Sequence, residues 1–330
     1  MPVGATPIAN PATLRPDLAE FMEFDLESER QGYVATQVLP VVETGLQSDN
    51  PGKVPLESLL FDGDTTRTSG SGYNRGSYKF ETFAFSTKEN GWEEPIDERD
   101  EKRYANLLQV DRIANARAQG VVARNQEKRV ASLVFNPTTW DGAALTTAIT
   151  NEWDSNHKTN AIPIDDVEGA VRKVYENSGL WCNALVINRQ VFRNLRNLDQ
   201  IIDRIASSGA GSPSKPRDIT VDMLKAVFDL DYIIVAGASK NTANEAKAAT
   251  PAQIWSGEYA MVCRIATSAD MREPCLGRTF HWSADGSVIG GTIEEYEEVQ
   301  SRSRILRVRH DTDEVIMYPQ AGHLLSNVTT

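Results

Sequence analysis

Four side chains in the C-terminal half of the chain could carry thiol or metal chemistry: Cys182, Cys263, Cys275 and His281. The spacings of 12 residues from Cys263 to Cys275 and 6 from Cys275 to His281 match no closed zinc template. A Cys182 nucleophile acting with His281 would need a third group to orient the imidazole, and the sequence marks none. We therefore predict that the cysteines are small buried hydrophobic residues, with no metal site and no catalytic thiol.

Other chemical motifs are absent as well. The sequence has no phosphate-binding loop, dinucleotide fingerprint, nucleophile elbow or H-E-x-x-H pair. Gly70 and Gly72 form a G-x-G step, but no helical pattern follows them. Three further histidines stand in polar or turn-like contexts and are predicted at the surface: His157, His310 and His323. We predict no cofactor and no catalytic residue, so the chain is not expected to be an enzyme.

Charge excludes further classes of function. The 330 residues carry a net charge of −12, which disfavours a general nucleic-acid binder and docking on anionic membranes. No uncharged apolar stretch approaches the roughly 20 residues that a bilayer needs. The charge is uneven, with −8 on residues 1–96 and +2 on residues 97–135.

The N-terminal part lacks the residues for a core of its own. Four prolines in residues 1–18 predict an extended arm, and residues 33–42 suit a strand that ends near Pro40. Residues 45–77 contain repeated turn signals around a strand-like run at 54–61, and a second strand-like run follows at 78–85. This pattern predicts an extended hairpin. Such a hairpin is marginal alone and packs on something else.

The strongest helical signal covers residues 97–135. Its apolar residues follow a 3/4 spacing, and a helix of this length would be on the order of 50 Å long. From residue 161 helices and buried strands alternate, with helices at 165–177, 191–205 and after Thr220, which predicts one α/β domain. The composition of residues 207–216 predicts a mobile loop.

The C-terminal part reads as a long charged strand over residues 293–309 and a turn near residues 311–313. Acids occupy its first half and arginines its second: Glu294, Glu295, Glu297, Glu298, Arg302, Arg304, Arg307 and Arg309. Copies arranged side by side could match acid to base, although a solvated strand face is an equal alternative. An arm, a hairpin and a long helix that lack a hydrophobic core of their own are typical of a subunit in a repeating assembly.

The order of several segments resembles the major capsid proteins of tailed phages, over about residues 30–325. The segments are YKFETFAFSTKENGWEEPIDERDEKRY, EKRVASLVFNPTTW, NALVINRQVFRNLRN, ITVDMLKAVFDLDYIIVAGASKNTA and IWSGEYAMV. The resemblance implies an α+β Hong Kong 97-like capsid fold. Its expected parts are an N-terminal arm (1–30), an extended loop region (31–96), the spine helix of a peripheral domain (97–139), an axial α/β domain (140–290) and peripheral strands with the C-terminus (291–330).

The same resemblance implies a function and its partners. The chain would self-assemble as pentamers and hexamers into an icosahedral head around double-stranded DNA, in a virion assembled in the bacterial cytoplasm. A portal and decoration proteins would be partners, but no membrane. Some relatives carry a helical scaffolding segment of about a hundred residues, for which this chain has no room, so a separate or already cleaved scaffolding protein is expected.

Three groups of residues are expected to make contacts. The hairpin tip would lie over an adjacent subunit through Gly70, Gly72, Tyr73 and Arg75. The terminal strands would contact a neighbour through Glu294, Glu295, Glu297, Arg302, Arg304 and Arg307. A loop near a symmetry axis would contain Ser207, Gly209, Gly211 and Pro213. Some relatives form a Lys–Asn cross-link; no such pair is matched, although Lys53, Lys79 and Lys88 lie in or near the loop.

Two other functions fit parts of the sequence. One is a cellular compartment shell of the same fold that loads cargo proteins, as encapsulins do. The other is a small α/β enzyme that uses Cys182 or a carboxylate.

Overall fold

The computed structural model describes residues 13–14, 32–55, 58, 60–77, 79–104, 110–207, 218–244 and 247–329. Its helices are α1 (Ala35–Val38), α2 (Glu98–Tyr104), α3 (Val110–Val134), α4 (Pro163–Ser178), α5 (Arg189–Leu195), α6 (Asp199–Ser207) and α7 (Val221–Phe228). Its strands are β1 (Thr13–Leu14), β2 (Val41–Thr44), β3 (Ser48–Asp49), β4 (Gly52–Lys53), β5 (Glu81–Thr82), β6 (Phe85–Ser86), β7 (Lys88–Asp97), β8 (Thr146–Ala148), β9 (Ala184–Asn188), β10 (Tyr232–Ala236), β11 (Ser239–Asn241), β12 (Pro251–Gln253), β13 (Ala260–Cys263), β14 (Gly277–Trp282), β15 (Thr292–Glu298), β16 (Ser303–Ile316) and β17 (Gly322–Ser326). No helix within these ranges has the length and apolar character needed to cross a bilayer.

Two sheets organise the molecule. The first has the order β1-β15-β16-β14-β2, with β7 pairing along the other edge of β16. The second has the order β10-β9-β13-β17-β8. Both faces of the second sheet are buried, which is why all five residues of β9 are buried. Leu185 and Ile187 contact one hydrophobic cluster and Ala184 and Val186 the other.

The helices around the second sheet form where caps and apolar spacing agree. Helix α4 begins with a proline and ends at Gly179, whose φ of 68° is the left-handed conformation that glycine favours. Thr220 caps α7 by accepting a hydrogen bond from the Met223 amide at 3.4 Å. The predicted helix at 191–205 is two helices, α5 and α6, because the chain turns at Asn197, whose amide donates to the carbonyl of Asn194.

The predicted helix over residues 97–135 is present as α2 and α3, separated by residues outside the described set. The 25 residues of α3 span about 38 Å. Helix α3 packs across β7 and β16 through Ala114, Ala118 and Val122 against Leu306 and Val308. The first sheet thus supports the helix along one face.

Three expectations for strands and turns were wrong. Residues 33–42 hold helix α1 and then β2 instead of one strand. No turn occurs at residues 311–313, because β16 runs unbroken to Ile316. The single strand expected over residues 293–309 is two strands, because a turn at residues 299–302, where Arg302 adopts φ 51°, separates the acidic β15 from the basic part of β16.

The expected boundary at residue 290 does not follow the sheets. Strand β14, placed in the axial region from the sequence, pairs with β16 and β2 in the first sheet. Strand β17, placed in the peripheral region, pairs with β13 and β8 in the second. The chain crosses between the sheets at residues 135–145, 264–276 and 317–321, so each sheet is built from separated segments.

The described residues of the segment 45–87 form a projecting loop, and among them strand pairing occurs at the base. Strand β3 pairs with β6, and β4 pairs with β5, each over two residues. Phe85 stacks on Phe280 of β14 at 4.4 Å between ring centroids. Beyond this base, described residues 60–77 hold no strand. The described residues of 54–61, which are 54, 55, 58, 60 and 61, also hold none, so the strand expected there is not seen in its described part.

Candidate assembly surfaces

The thiols and His281 do not form a nucleophilic site. All three cysteines are reduced, and burial raises the pKa of Cys182 to about 12 despite the opposing charge of Arg264. Burial also raises the pKa of Cys263 well above its ordinary value. His281 Nε2 lies 3.1 Å from the Ser287 hydroxyl. Because a thiol with so high a pKa carries almost no thiolate at neutral pH, burial disfavours nucleophilic chemistry at these cysteines.

Two of the three histidines predicted at the surface are buried. The side chain of His310 lies between α3 and the first sheet, with Nδ1 3.1 Å from the carbonyl oxygen of Ile289. His323 lies between the Thr147 hydroxyl at 2.8 Å and the Ala144 carbonyl at 3.1 Å. Burial lowers the pKa of His323 to about 4, so this imidazole stays neutral at physiological pH. Each ring has a backbone carbonyl oxygen within hydrogen-bonding distance, which offsets the cost of burying a polar side chain.

His157 is partly exposed beside Asp154 and Glu152, and their ligating atoms lie within 4.8 Å of one another. The Asp154 carboxylate accepts hydrogen bonds from the amides of Asn156 and His157, both at 3.0 Å. This arrangement is a hydrogen-bonded turn, and nothing at it points to a bound ion.

The arginines of the terminal strands pair with acids of their own chain. Arg307 contacts Glu294 directly across the β15–β16 ladder. Arg304 lies 3.3 Å from Glu295 and also bonds Asp111 of α3. Contact of these residues with a neighbouring copy stays a prediction.

The exposed end of this hairpin is the turn at residues 299–302. Val299 is 74% exposed, and Arg302 pairs with Glu98 of α2 at 3.2 Å while remaining open to solvent. A cleft of about 760 Å³ lies beside the turn, lined by Glu98, Lys102, Glu297, Val299, Arg302 and Arg304. The turn therefore presents both apolar and charged groups to solvent.

The tip of the projecting loop exposes aromatic side chains. Tyr73 is 73% exposed, with the guanidinium of Arg67 4.8 Å from its ring centroid. Gly70 has φ 89°, and Gly72 and Arg75 are exposed on the same tip. Phe61 and Phe80 lie nearer the base and are 72% and 73% exposed. Such an apolar surface on a loop without a core is typical of a contact with another molecule.

The arm and the expected axial loop are only partly described. Strand β1 of the arm pairs antiparallel with β15 of its own chain, with Thr13 opposite Glu295 and Leu14 opposite Glu294. Ser207 ends α6 and its hydroxyl donates to the carbonyl of Arg204 at 2.8 Å. Gly209, Gly211 and Pro213 lie outside the described residues.

Sequence reasoning missed the main polar junction, which is Glu127 in the middle of α3. Its carboxylate accepts hydrogen bonds from the amides of Val34 and Ala35 and from the Trp255 indole at 2.8 Å. Two turns of helix separate it from Gly120 and from Val134, and it is the one buried acid of the helix among its described residues. An acid at such a position was the available signal.

Comparison with solved structures identifies the fold. A phage-related protein from Bordetella bronchiseptica RB50 has a TM-score of 0.69 at 19% identity, covering 96% of this chain and 98% of its own. The capsid protein of cyanophage P-SCSP1u has a TM-score of 0.57 at 10% identity, covering 88% and 86%. The chain therefore has the α+β Hong Kong 97-type capsid fold.

No family model matches the chain, but two phage proteins do. The major capsid protein of Burkholderia phage BcepMu is 24% identical over 210 residues, which are 62% of this chain and 64% of that protein. The major capsid protein of Pseudomonas phage JBD67 is 21% identical over 295 residues, covering 89% and 91%. In sequence, the chain is therefore similar to the major capsid proteins of these two phages.

The fold does not separate a phage capsid protein from an encapsulin. An encapsulin from Synechococcus elongatus has a TM-score of 0.51 at 8% identity, covering 90% of this chain and 87% of its own. The two sequence relatives are both phage capsid proteins, and they favour the phage capsid over the compartment shell.

Proposed function

We propose that this chain is a major capsid protein, the structural subunit of a tailed-phage head. Its copies assemble as pentamers and hexamers into an icosahedral shell around double-stranded DNA, in the cytoplasm of the bacterial host. A separate scaffolding protein, a portal and decoration proteins act with it, and it has no enzymatic activity. The observation that carries the proposal is the projecting loop, whose exposed aromatic side chains pack on no core of their own chain.

The test removes the loop without disturbing the two sheets. Residues 62–79 are replaced by a short Gly-Ser linker, and the product is examined by thermal unfolding and negative-stain microscopy. Because nearly all described residues of this segment are exposed, the variant should fold. We expect it to form no closed shells, and normal shells from this variant would contradict the role of the loop.

A point variant of the same surface tests the loop contact without introducing the Gly-Ser linker. Phe61→Ser removes one exposed ring from the loop and should reduce the yield of shells. Ile162→Ser removes an exposed apolar side chain at the start of α4 and is the matched control. Equal yields from the two variants would count against the loop contact.

The compartment shell remains the second candidate because of the likeness to an encapsulin. Particles purified from the native source distinguish the two functions. Phage DNA inside them supports the head, whereas a cargo protein without DNA supports the compartment.

A further inference from the structure

A basic groove lies beside the C-terminal half of α3, outside the surfaces described above. It has a volume of about 450 Å³ and runs between α3 and the β11–β12 hairpin with the residues that follow it. Its polar and aromatic lining consists of Lys128, Arg129, Ser132, Phe135, Lys240 and Ser256. None of the side chains described as lining the groove is acidic.

Two of the three cations in the groove are uncommitted. Both ends of the Arg129 guanidinium bond the Glu314 carboxylate at 2.9 Å, which neutralises that charge. Lys128 and Lys240 have no ion-pair partner among the residues that the structure describes. Arg124 precedes Lys128 by one helical turn and extends the same cationic face. The groove is therefore locally positive in a chain of net charge −12.

The first sheet separates this groove from the projecting loop. Along β16, His310, Thr312 and Glu314 face α3, as their contacts with Arg129 show. The alternate residue Asp313 faces the other side, where its carboxylate accepts a hydrogen bond from the Ser86 amide at the loop base. Copies in one closed shell share one radial orientation, so a neighbour's loop would approach from the side away from the groove.

We propose that this groove binds phosphate groups of double-stranded DNA enclosed by the shell. The inference rests on the proposed function, which supplies the DNA. Lysine ammonium groups and serine hydroxyls donate to phosphate oxygens without reading bases, so the binding is independent of sequence. Each copy offers two uncommitted lysines, so binding is weak for one copy and is summed over the shell.

The test measures how salt affects binding of a fluorescein-labelled 30-base-pair duplex to the full-length protein, by fluorescence anisotropy in about 50 to 200 mM KCl. Loss of two phosphate contacts lowers the slope of log K against log [KCl] by about 1.8. We therefore expect the wild type to lose about 12-fold more affinity over this range than the double variant Lys128→Gln/Lys240→Gln. The control is Lys79→Gln/Lys225→Gln, which makes the same change in net charge on the loop and on α7.

Equal salt slopes for the wild type and the groove variant would overturn the proposal. A salt slope that falls as much in the control variant as in the groove variant would overturn it as well. Displacement of the duplex from the wild type by poly-glutamate at equal charge concentration would also overturn it, in favour of an acidic protein segment. Microscopy of the same samples reports on assembly separately. A chain that never forms shells would contradict the proposed function, while the slopes would still decide whether the groove binds phosphates.

Discussion

Glu127 joins three segments that are distant in sequence. It lies on α3, and it accepts hydrogen bonds from amides at the start of α1 and from the indole of Trp255, two residues beyond β12. Burial raises its pKa above the ordinary value, and the hydrogen bonds to Ala35, Trp255 and Val34 only partly oppose this effect. The folded chain therefore binds a proton at this site more tightly than the unfolded chain does.

This shift predicts the pH dependence of stability. The stabilising contribution is fully present below the ordinary glutamate pKa of about 4.3 and is lost as pH rises through the raised value. We expect Glu127→Gln to remove this pH-dependent contribution. As pH falls, the free energy of unfolding of the wild type should therefore rise relative to that of the variant. Urea unfolding across this window measures the difference. Parallel profiles for the two proteins would contradict the assignment.

The buried histidines show where residue-scale prediction from sequence stops. His310 and His323 follow polar or turn-forming residues, and that context indicates exposure. Their burial depends on carbonyl oxygens at Ile289 and Ala144, which lie 21 and 179 residues away. The same holds for the cationic groove, because Lys128 and Lys240 meet only after the β11–β12 hairpin is in place.

At the scale of elements, β14 is fitted tightly between its neighbours. A Cβ on Gly277 would collide with the carbonyl oxygen of Val315 in the paired strand. We expect Gly277→Ala to reduce the free energy of unfolding by about 1–3 kcal/mol. Chemical denaturation measures this loss.

The control for this substitution is a glycine with free space. Gly169 lies within α4, and a Cβ there meets nothing within 4 Å. Gly169→Ala should stabilise the protein by about 0.5–1 kcal/mol, because alanine loses less backbone entropy in a helix. A Gly277→Ala protein as stable as the Gly169→Ala protein would show that β14 is not tightly fitted.

Helices and strands whose start, end or apolar pattern is encoded in neighbouring residues were predictable from the sequence. Helix α4 has its proline start and its glycine end in the sequence, and β9 is a continuous apolar run. The turn at residues 299–302 was missed because the polar residues 311–313 appeared to be the better turn. In the structure Asp311 and Asp313 lie within β16, where long-range pairing with β7 and β14 overrides their local preference. The assignment of β14 and β17 to sheets depends on pairing of the same kind.

At the scale of the whole molecule, the turn at residues 299–302 tests assembly apart from folding. Arg302 is 79% exposed in its side chain and its pair with Glu98 is open to solvent, so the pair is worth about 0–1 kcal/mol. We expect Arg302→Glu to leave thermal unfolding nearly unchanged and to reduce the yield of shells in sedimentation. Arg172→Glu, on the exposed side of α4, is the matched control. Shell yields equal to those of the control would remove the turn from the assembly surfaces.

The net charge of −12 describes the whole chain and hides how its charges are distributed. The arginines of the terminal hairpin pair with acids of the same chain, while the groove beside α3 keeps two lysines uncommitted. Composition therefore excludes strong nucleic-acid binding, but it does not exclude a weak local site that many copies repeat.

The three chain crossings between the sheets have a mechanical consequence. The segments 264–276 and 317–321 are hydrogen-bonded to each other, through Arg264 to Ala321 and through Met317 to Leu276. A force that pulls the two sheets apart is therefore shared by three segments of the polypeptide chain, and two of these segments are hydrogen-bonded to each other. In a shell built from such subunits, separating the two sheets of one subunit would therefore require all three chain segments to be stretched together.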